Sequence, residues 1–376
     1  MTSQSHEEFK KSMMSLFNDE SDLSPEQPEQ SETSFEENQE ITAFRKLKQE
    51  RKSLKRKKAS LELWDSSLVK SEYDNEERHS RRESALSPML EEKSRKLLVE
   101  VNRKTFLALT LLCKKFPNFS HVIARYEDSL RLRSLGKVAT VWLPPIVLVG
   151  PPGIGKTRFL RELATALMID FFSVDMSTTS AGFILNGGNS SWSNGRPGFV
   201  SNSLRKSKVA NPLFLADEID KAGGDDRYDP ISCFYLLLEK HTAKEFQDEC
   251  LEIPMDCSAI NWVASANYID RIPAPILSRM DVIEVQPPTL EQMPVIVQSL
   301  FTELLQSNDW GERFIDNLSK DVLSEMTVCT PREMGKVLEK SCANAAKRKG
   351  GAKGQIRLIT KDIELPNDIS SRRIGF

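Results

Sequence analysis

The octet GPPGIGKT, made of Gly150, Pro151, Pro152, Gly153, Ile154, Gly155, Lys156 and Thr157, has the spacing G-x-x-x-x-G-K-[ST]. Glycines so placed let a backbone curl until several amide N–H groups point inward, which suits phosphate oxygens. A helix starting there adds its positive end. Lys156 then reaches the outer phosphates and the Thr157 hydroxyl a Mg2+ ion. Further along, NPLFLADEID (211–220) drives large apolar residues straight into Asp217, Glu218 and Asp220. Charges ending a buried strand are costly unless a cation or a reaction uses them. Next to a phosphate loop both uses exist: Asp217 for the magnesium shell, Glu218 to take a proton from an attacking water. Phosphoryl transfer needs charge neutralisation and an oriented nucleophile rather than covalent chemistry. Asp220 reads as structural.

These residues need elements to hold them. WLPPIVLVG (142–150) predicts a buried strand, TRFLRELATALM (157–168) an amphipathic helix, and IDFFSVDMS (169–177) a second strand. NPLFLADEID and AINWVASAN (259–267) add two more, with a helix at about 230–242 between them. Strands alternating with helices predict an α/β fold, a three-layer P-loop core around a parallel sheet. LLVEVNRKTFLALTLLCKKF (97–116) has helical spacing and leads into that core. Beyond DVIEVQPP (281–288) the pattern turns helical at 290–306, 310–326 and 331–348, a small lid on a Pro-Pro hinge, and IRLITKDIEL (356–365) reads as a strand. Residues 1–85, rich in Ser, Glu, Gln and Lys, bury too little apolar surface to offset their ordering entropy. The expected domains are a disordered tail at 1–85 with a transient charged helix around 41–63, a core at 86–286, and a lid with its C-terminal extension at 287–376.

A chain of 376 residues with 39% hydrophobic content supports two or three compact units, and a net charge of -2 gives no overall attraction to nucleic acid or anionic membrane. Local asymmetry remains: FRKLKQERKSLKRKKAS (44–60) holds nine Lys/Arg against Glu50 alone, a solvated linker or a nucleic-acid contact. Six cysteines without a CxxC pair, and no signal-like stretch near Met1, point to reduced thiols and a cytoplasmic location. His6, His79, His121 and His241 make no zinc spacing. No apolar run approaches the ~20 residues of a membrane helix.

The order of elements resembles an AAA+ ATPase. NPLFLADEIDKAGGDDRYDP, FQDECLEIPMDCS (246–258) and IPAPILSRMDVIEV (272–285) resemble ATPase segments of the Lon protease family, a likeness running from about residue 95 to the C-terminus. The resemblance implies ATP with Mg2+, held between subunits of a homo-oligomeric ring, usually a hexamer. It implies that Asn267 is the sensor touching water or the γ-phosphate, and that Arg279 is an arginine finger for the neighbouring subunit. It makes Arg332, in the first turn of a helix opened by Pro331, a second sensor. AGFILNGGNSSWSNGRPGFV (181–200) matches the loop that carries an aromatic residue into the ring's pore to grip unfolded polypeptide. Trp192 falls at that position, although Trp192-Ser193-Asn194 departs from the family's aromatic–aliphatic–Gly. The family's Ser–Lys peptidase domain has no match before Phe376, so no peptide hydrolysis is expected. The expectation is an ATP-hydrolysing ring motor that remodels or unfolds a protein partner. A nucleotide-switched, nucleic-acid-associated adaptor and a motor subunit for a separate protease chain are the alternatives.

Overall fold

Ile146 and Leu148 face one side of a sheet, Val147 faces the other, and all three are fully buried. Side chains alternate along a strand, so a strand buried on both faces reads as one apolar run. That is why IVLV, LFLA and NWVASA carry so few charges. The computed structural model describes residues 58–365 except 180, 193, 224–228 and 351–353.

In chain order, β1 (Ser60–Glu62), α1 (Ser66–Asn75), α2 (Arg81–Glu91) and β2 (Arg95–Leu97) come first. Next are α3 (Arg103–Lys115), α4 (Ser120–Ser134), β3 (Ile146–Val149), α5 (Lys156–Leu167) and β4 (Phe171–Asp175). They lead to α6 (Phe183–Asn186), α7 (Phe199–Lys206), β5 (Leu213–Asp217), α8 (Ser232–Leu237) and α9 (Lys240–Ala243). After β6 (Phe246–Gln247) and β7 (Pro254–Met255) come β8 (Asn261–Ala266), α10 (Ala274–Leu277) and β9 (Asp281–Glu284). The lid holds α11 (Met293–Gln306), α12 (Lys320–Met326) and α13 (Pro331–Lys349).

Five strands form a parallel sheet in the order β4-β5-β8-β3-β9. Leu109, Leu112, Phe159 and Leu163 of α3 and α5 cover one face, against Ile146, Leu148, Leu213 and Val263. Val200, Leu204, Phe234 and Leu237 cover the other with Phe214, Trp262 and Ala264. The lid has its own core of Val297, Phe301, Val337 and Leu338. Because β8 lies between β3 and β5, the C-terminal ends of all three strands open on one edge, where ligands of open α/β sheets bind.

Several expectations change. Order begins well before residue 86: α1 and α2 pack Val69, Leu86 and Met89 into the core beside Leu63 and Trp64. Few apolar residues suffice there because each is spent on a surface the core already offers. Residues 1–57, and with them most of the basic segment 44–60, lie outside the described residues. The helix expected at 97–116 starts at Arg103, where Asn102 caps it, and its first residues belong to β2 and an extended link. The helix at 230–242 is two short ones, and the stretch 310–326 is a 3-10 turn at Asp309–Arg313 followed by α12, whose N-cap is Ser319. IRLITKDIEL makes one bridge, Ile356 to Phe314, and then a 3-10 turn rather than a strand. No described helix is long and apolar enough to cross a membrane.

Candidate nucleotide site

The octet folds as a loop between β3 and α5. Gly153 and Gly155 take φ of +84° and +102°, a region favouring glycine. This turns the chain so that α5 begins at Lys156 with its N-terminus facing the curl. Lys156 is 92% buried, and its Nζ donates to the carbonyls of Gly150 (2.6 Å) and Pro151 (3.2 Å) and to Asn267 Oδ1 (3.1 Å). Burial pulls the ammonium below its ordinary range, opposed by the charges of Asp217, Asp220 and Glu218. Asn267 follows β8, so the sheet order itself brings it to the loop.

Thr157 Oγ1 donates to Asp217 Oδ2 at 2.9 Å, joining the first turn of α5 to the end of β5. Ser265 of β8 donates to the other oxygen, Asp217 Oδ1, and accepts from the Glu218 backbone N–H at 3.0 Å. Sequence reasoning passed over Ser265, whose signal is a hydroxyl inside an otherwise apolar strand. Glu218 sits in the left-handed region at φ +56°, which costs a residue with a Cβ about 1 kcal/mol. Its carboxylate meets Lys221 at 2.8 Å. Strain of this kind accumulates where a side chain must be aimed. Asp220, 95% buried, accepts from the Tyr268 backbone N–H at 3.2 Å and so ties β5 to the turn after β8.

Arg332 enters from the lid. Thr330 and Glu333 form a capping box at the start of α13, which fixes the first turn. A Cβ on Gly153 would lie 3.6 Å from Arg332 Cβ. Pro152, Gly153, Ile154, Gly155, Lys156, Thr157, Asp217, Glu218, Asn267 and Arg332 thus line one cleft of about 340 Å³. Phe116, Asn118, Ile296 and Leu300, which the sequence did not single out, line it as well. Thr157 and Asp217 are hard oxygen donors, the set that suits Mg2+.

Arg279 does not line this cleft. Its Nη1 donates to Pro275 O at 2.8 Å, and its Nε lies 3.0 Å from Glu239 Oε1 as an ion pair without hydrogen-bond alignment. Trp192 is 44% exposed on the loop between α6 and α7, edge-on to Phe183 at 6.2 Å.

The family "ATPase family associated with various cellular activities (AAA)" matches residues 146–288, the span from β3 past β9. The chain carries a Lon-like AAA+ module. Over 210 residues it is 35% identical to Lon protease from Mycoplasma mycoides, covering 54% of this chain and 26% of that one. Over 225 residues it is 31% identical to the peroxisomal Lon protease homolog 2 of Spinacia oleracea, covering 58% and 25%. The chain therefore matches about a quarter of those relatives' length. A solved closed-state reconstruction of Hsp104 with ATPγS and FITC casein superposes with a TM-score of 0.53 at 15% identity, over 66% of this chain and 48% of that one. At that identity the likeness concerns the fold of the AAA+ module alone.

Proposed function

We propose that this chain is an ATP-hydrolysing AAA+ ring motor, Lon-like in its ATPase module, that remodels or unfolds a protein partner. The observation that carries the reading is the convergence, in one cleft, of the curled octet, Lys156, the Thr157–Asp217 pair, Glu218, Asn267 and Arg332. In this reading the octet's amides and Lys156 hold the phosphates of ATP. Thr157 and Asp217 hold Mg2+, which supplies neutralisation of the charge growing on the leaving group. Glu218 takes the proton of the attacking water, Asn267 orients that water, and Arg332 brings the lid onto the phosphates. Arg279, held on its own surface outside the cleft, serves the site of a neighbouring subunit. Trp192 on its glycine-rich loop contacts the polypeptide.

Calorimetric titration with Mg·ATP is the first test. Lys156→Ala is expected to weaken binding more than 100-fold, and Glu218→Gln to retain ATP while turnover falls about 10²–10³-fold. Mixing tests the ring. Lys156→Ala and Arg279→Ala chains, each inactive alone, should recover part of the rate together, because an intact loop on one subunit then meets an intact arginine on the next. An Arg279→Ala chain that hydrolyses ATP at the wild-type rate rules out the shared site.

A further inference from the structure

The loop 187–198 and the start of α2 enclose a groove that the nucleotide reading does not use. One stretch of it is lined by Phe183 and Trp192 and the next by His79, while Arg81, Gly195 and Arg196 line both, so the two stretches are continuous. The wider stretch encloses about 720 Å³, within the size range of ligand clefts. Its α2 wall lies outside residues 146–288, the span that matches the AAA family.

Both arginines stand on fixed backbone. Arg81 opens α2, which Ser80 caps, and its neighbour Arg82 ties that turn to Glu72, Glu76 and the carbonyl of Leu251. Arg196 stands at the neck of the loop, where its carbonyl accepts from the Gly188 N–H at 3.0 Å and Asp248 holds Gly198 two residues on. Arg82 spends its guanidinium on two carboxylates. Arg81 and Arg196, both exposed, have neither an ion pair nor a side-chain hydrogen bond among the described residues. His79, in the left-handed region at φ +66°, adds to the same rim. Among the described residues no carboxylate lines either stretch. A groove lined by one sign of charge concentrates the opposite charge.

We infer that this groove receives an extended acidic segment of a protein partner, with carboxylates on Arg81 and Arg196 and an apolar side chain against Phe183 and Trp192. A guanidinium matches a carboxylate as a planar fork, and arginine and tryptophan are among the residues that most often dominate protein interfaces. A nucleic-acid strand fits less well, because it needs successive phosphates neutralised. Here the cationic stretch is short and bordered by acids: Glu83 accepts from the His79 backbone N–H at 2.6 Å, and Glu252 from the Ser190 hydroxyl at 3.4 Å. The inference rests on the reading of the Trp192 loop as the polypeptide contact and adds to it the class of polypeptide that the loop takes.

The test follows a short fluorescein-labelled peptide, Glu and Asp around one Phe, by anisotropy with the full chain. Its neutral counterpart carries Gln and Asn, and a labelled oligothymidylate represents nucleic acid. Wild type is expected to bind the acidic peptide roughly ten-fold tighter than the neutral one at low salt, and raised salt should erase the difference. Arg81→Gln combined with Arg196→Gln should bind both peptides alike. Arg81→Lys combined with Arg196→Lys should keep most of the preference, since the charge remains. Thermal midpoints should stay at the wild-type value in both, because neither guanidinium has a partner to lose. A preference that survives the glutamine pair, as it would if residues 44–60 bound the acids, overturns the inference. So does an oligothymidylate that binds tighter than the acidic peptide and is released by the same pair. Equal wild-type affinity for the two peptides overturns this inference alone, whereas binding of neither peptide overturns the reading of the Trp192 loop as well.

Discussion

Two glycine-rich loops, 150–157 and 187–198, differ in what their backbone groups meet: the first would take an outside phosphate in the proposed reading, and the second meets a carboxylate of the protein itself. The first curls with Gly153 and Gly155 at positive φ, and a Cβ on Gly155 would meet nothing within 4 Å. Glycine there serves the backbone angle, and the curl stays open to an outside phosphate. The second closes on the protein's own carboxylate. Asp248, fully buried, accepts from the backbone N–H of Gly198 (2.8 Å), Cys250 (2.9 Å) and Leu251 (3.2 Å) and from the Ser201 hydroxyl. A Cβ on Gly187 would fall 2.2 Å from Asp248 Oδ1, and one on Gly198 would fall 2.3 Å from Gly187 N. These glycines provide clearance, and Gly187, at φ +91°, the backbone angle as well. The α7 helix that follows is anchored at its other end by Lys96, whose Nζ donates to the carbonyls of Leu204 (2.8 Å), Arg205 (2.5 Å) and Ser207 (2.6 Å). Opposite charges thus sit at the two helix ends where its dipole favours them. In the proposed reading, the loop that receives a ligand keeps its curl open, and the loop that presents a side chain uses its donors internally.

The sharpest way to break this contrast is to remove the internal anion. Asp248→Ala leaves three buried backbone donors without an acceptor, while the Ser201 hydroxyl keeps the Gly198 carbonyl at 3.2 Å, and is expected to cost about 3 kcal/mol of stability, read from denaturant unfolding. Asp248→Asn separates charge from shape. Desolvation holds the Asp248 carboxyl above its ordinary value of 3.8, so the folded state takes up a proton before the unfolded chain does. The stability this group contributes is present below that value and declines as pH rises through the folded pKa. The asparagine variant lacks the decline. Next in size comes Gly198→Ala, about 2–3 kcal/mol from a forced backbone shift, with no change in nucleotide affinity. Gly155→Ala is the mirror case: about 1–2 kcal/mol from φ alone, with nucleotide binding weakened. If the two glycine variants affect nucleotide binding alike, the loops are not separate devices.

The two loops also differ in how far the sequence displays them. The octet is contiguous, and the carboxylates of β5 follow an apolar strand, so the chemistry reads directly from local spacing. The α/β layering was legible for the same reason, since strands buried on both faces carry mostly apolar residues. Asp248 gave no such sign: beside the local donors of Cys250 and Leu251, its partners Gly198 and Ser201 lie 50 and 47 residues earlier in the chain. Part of the cleft lining was equally hidden, because Asn118 joins Ile296 and Leu300 from an element about 180 residues away. Helix boundaries failed where capping overrode periodicity, as at Asn102 and Ser319. The ordered hairpin at 60–97 escaped notice because its composition is polar while its few apolar side chains land in a core supplied by other segments.

The smallest expected effect is at Trp192. Its indole is 44% exposed and meets Phe183, itself 40% exposed, edge-on. Such a pair is worth about 0.5–1.5 kcal/mol, and partial exposure places this one at the low end. Trp192→Ala should therefore shift the thermal midpoint by about 2 °C or less and leave Mg·ATP affinity unchanged, while any stimulation of turnover by an unfolded polypeptide is lost. A stability loss as large as that of Asp248→Ala would mean that the indole plugs its own loop, and the distinction between a loop that receives and a loop that presents would go with it.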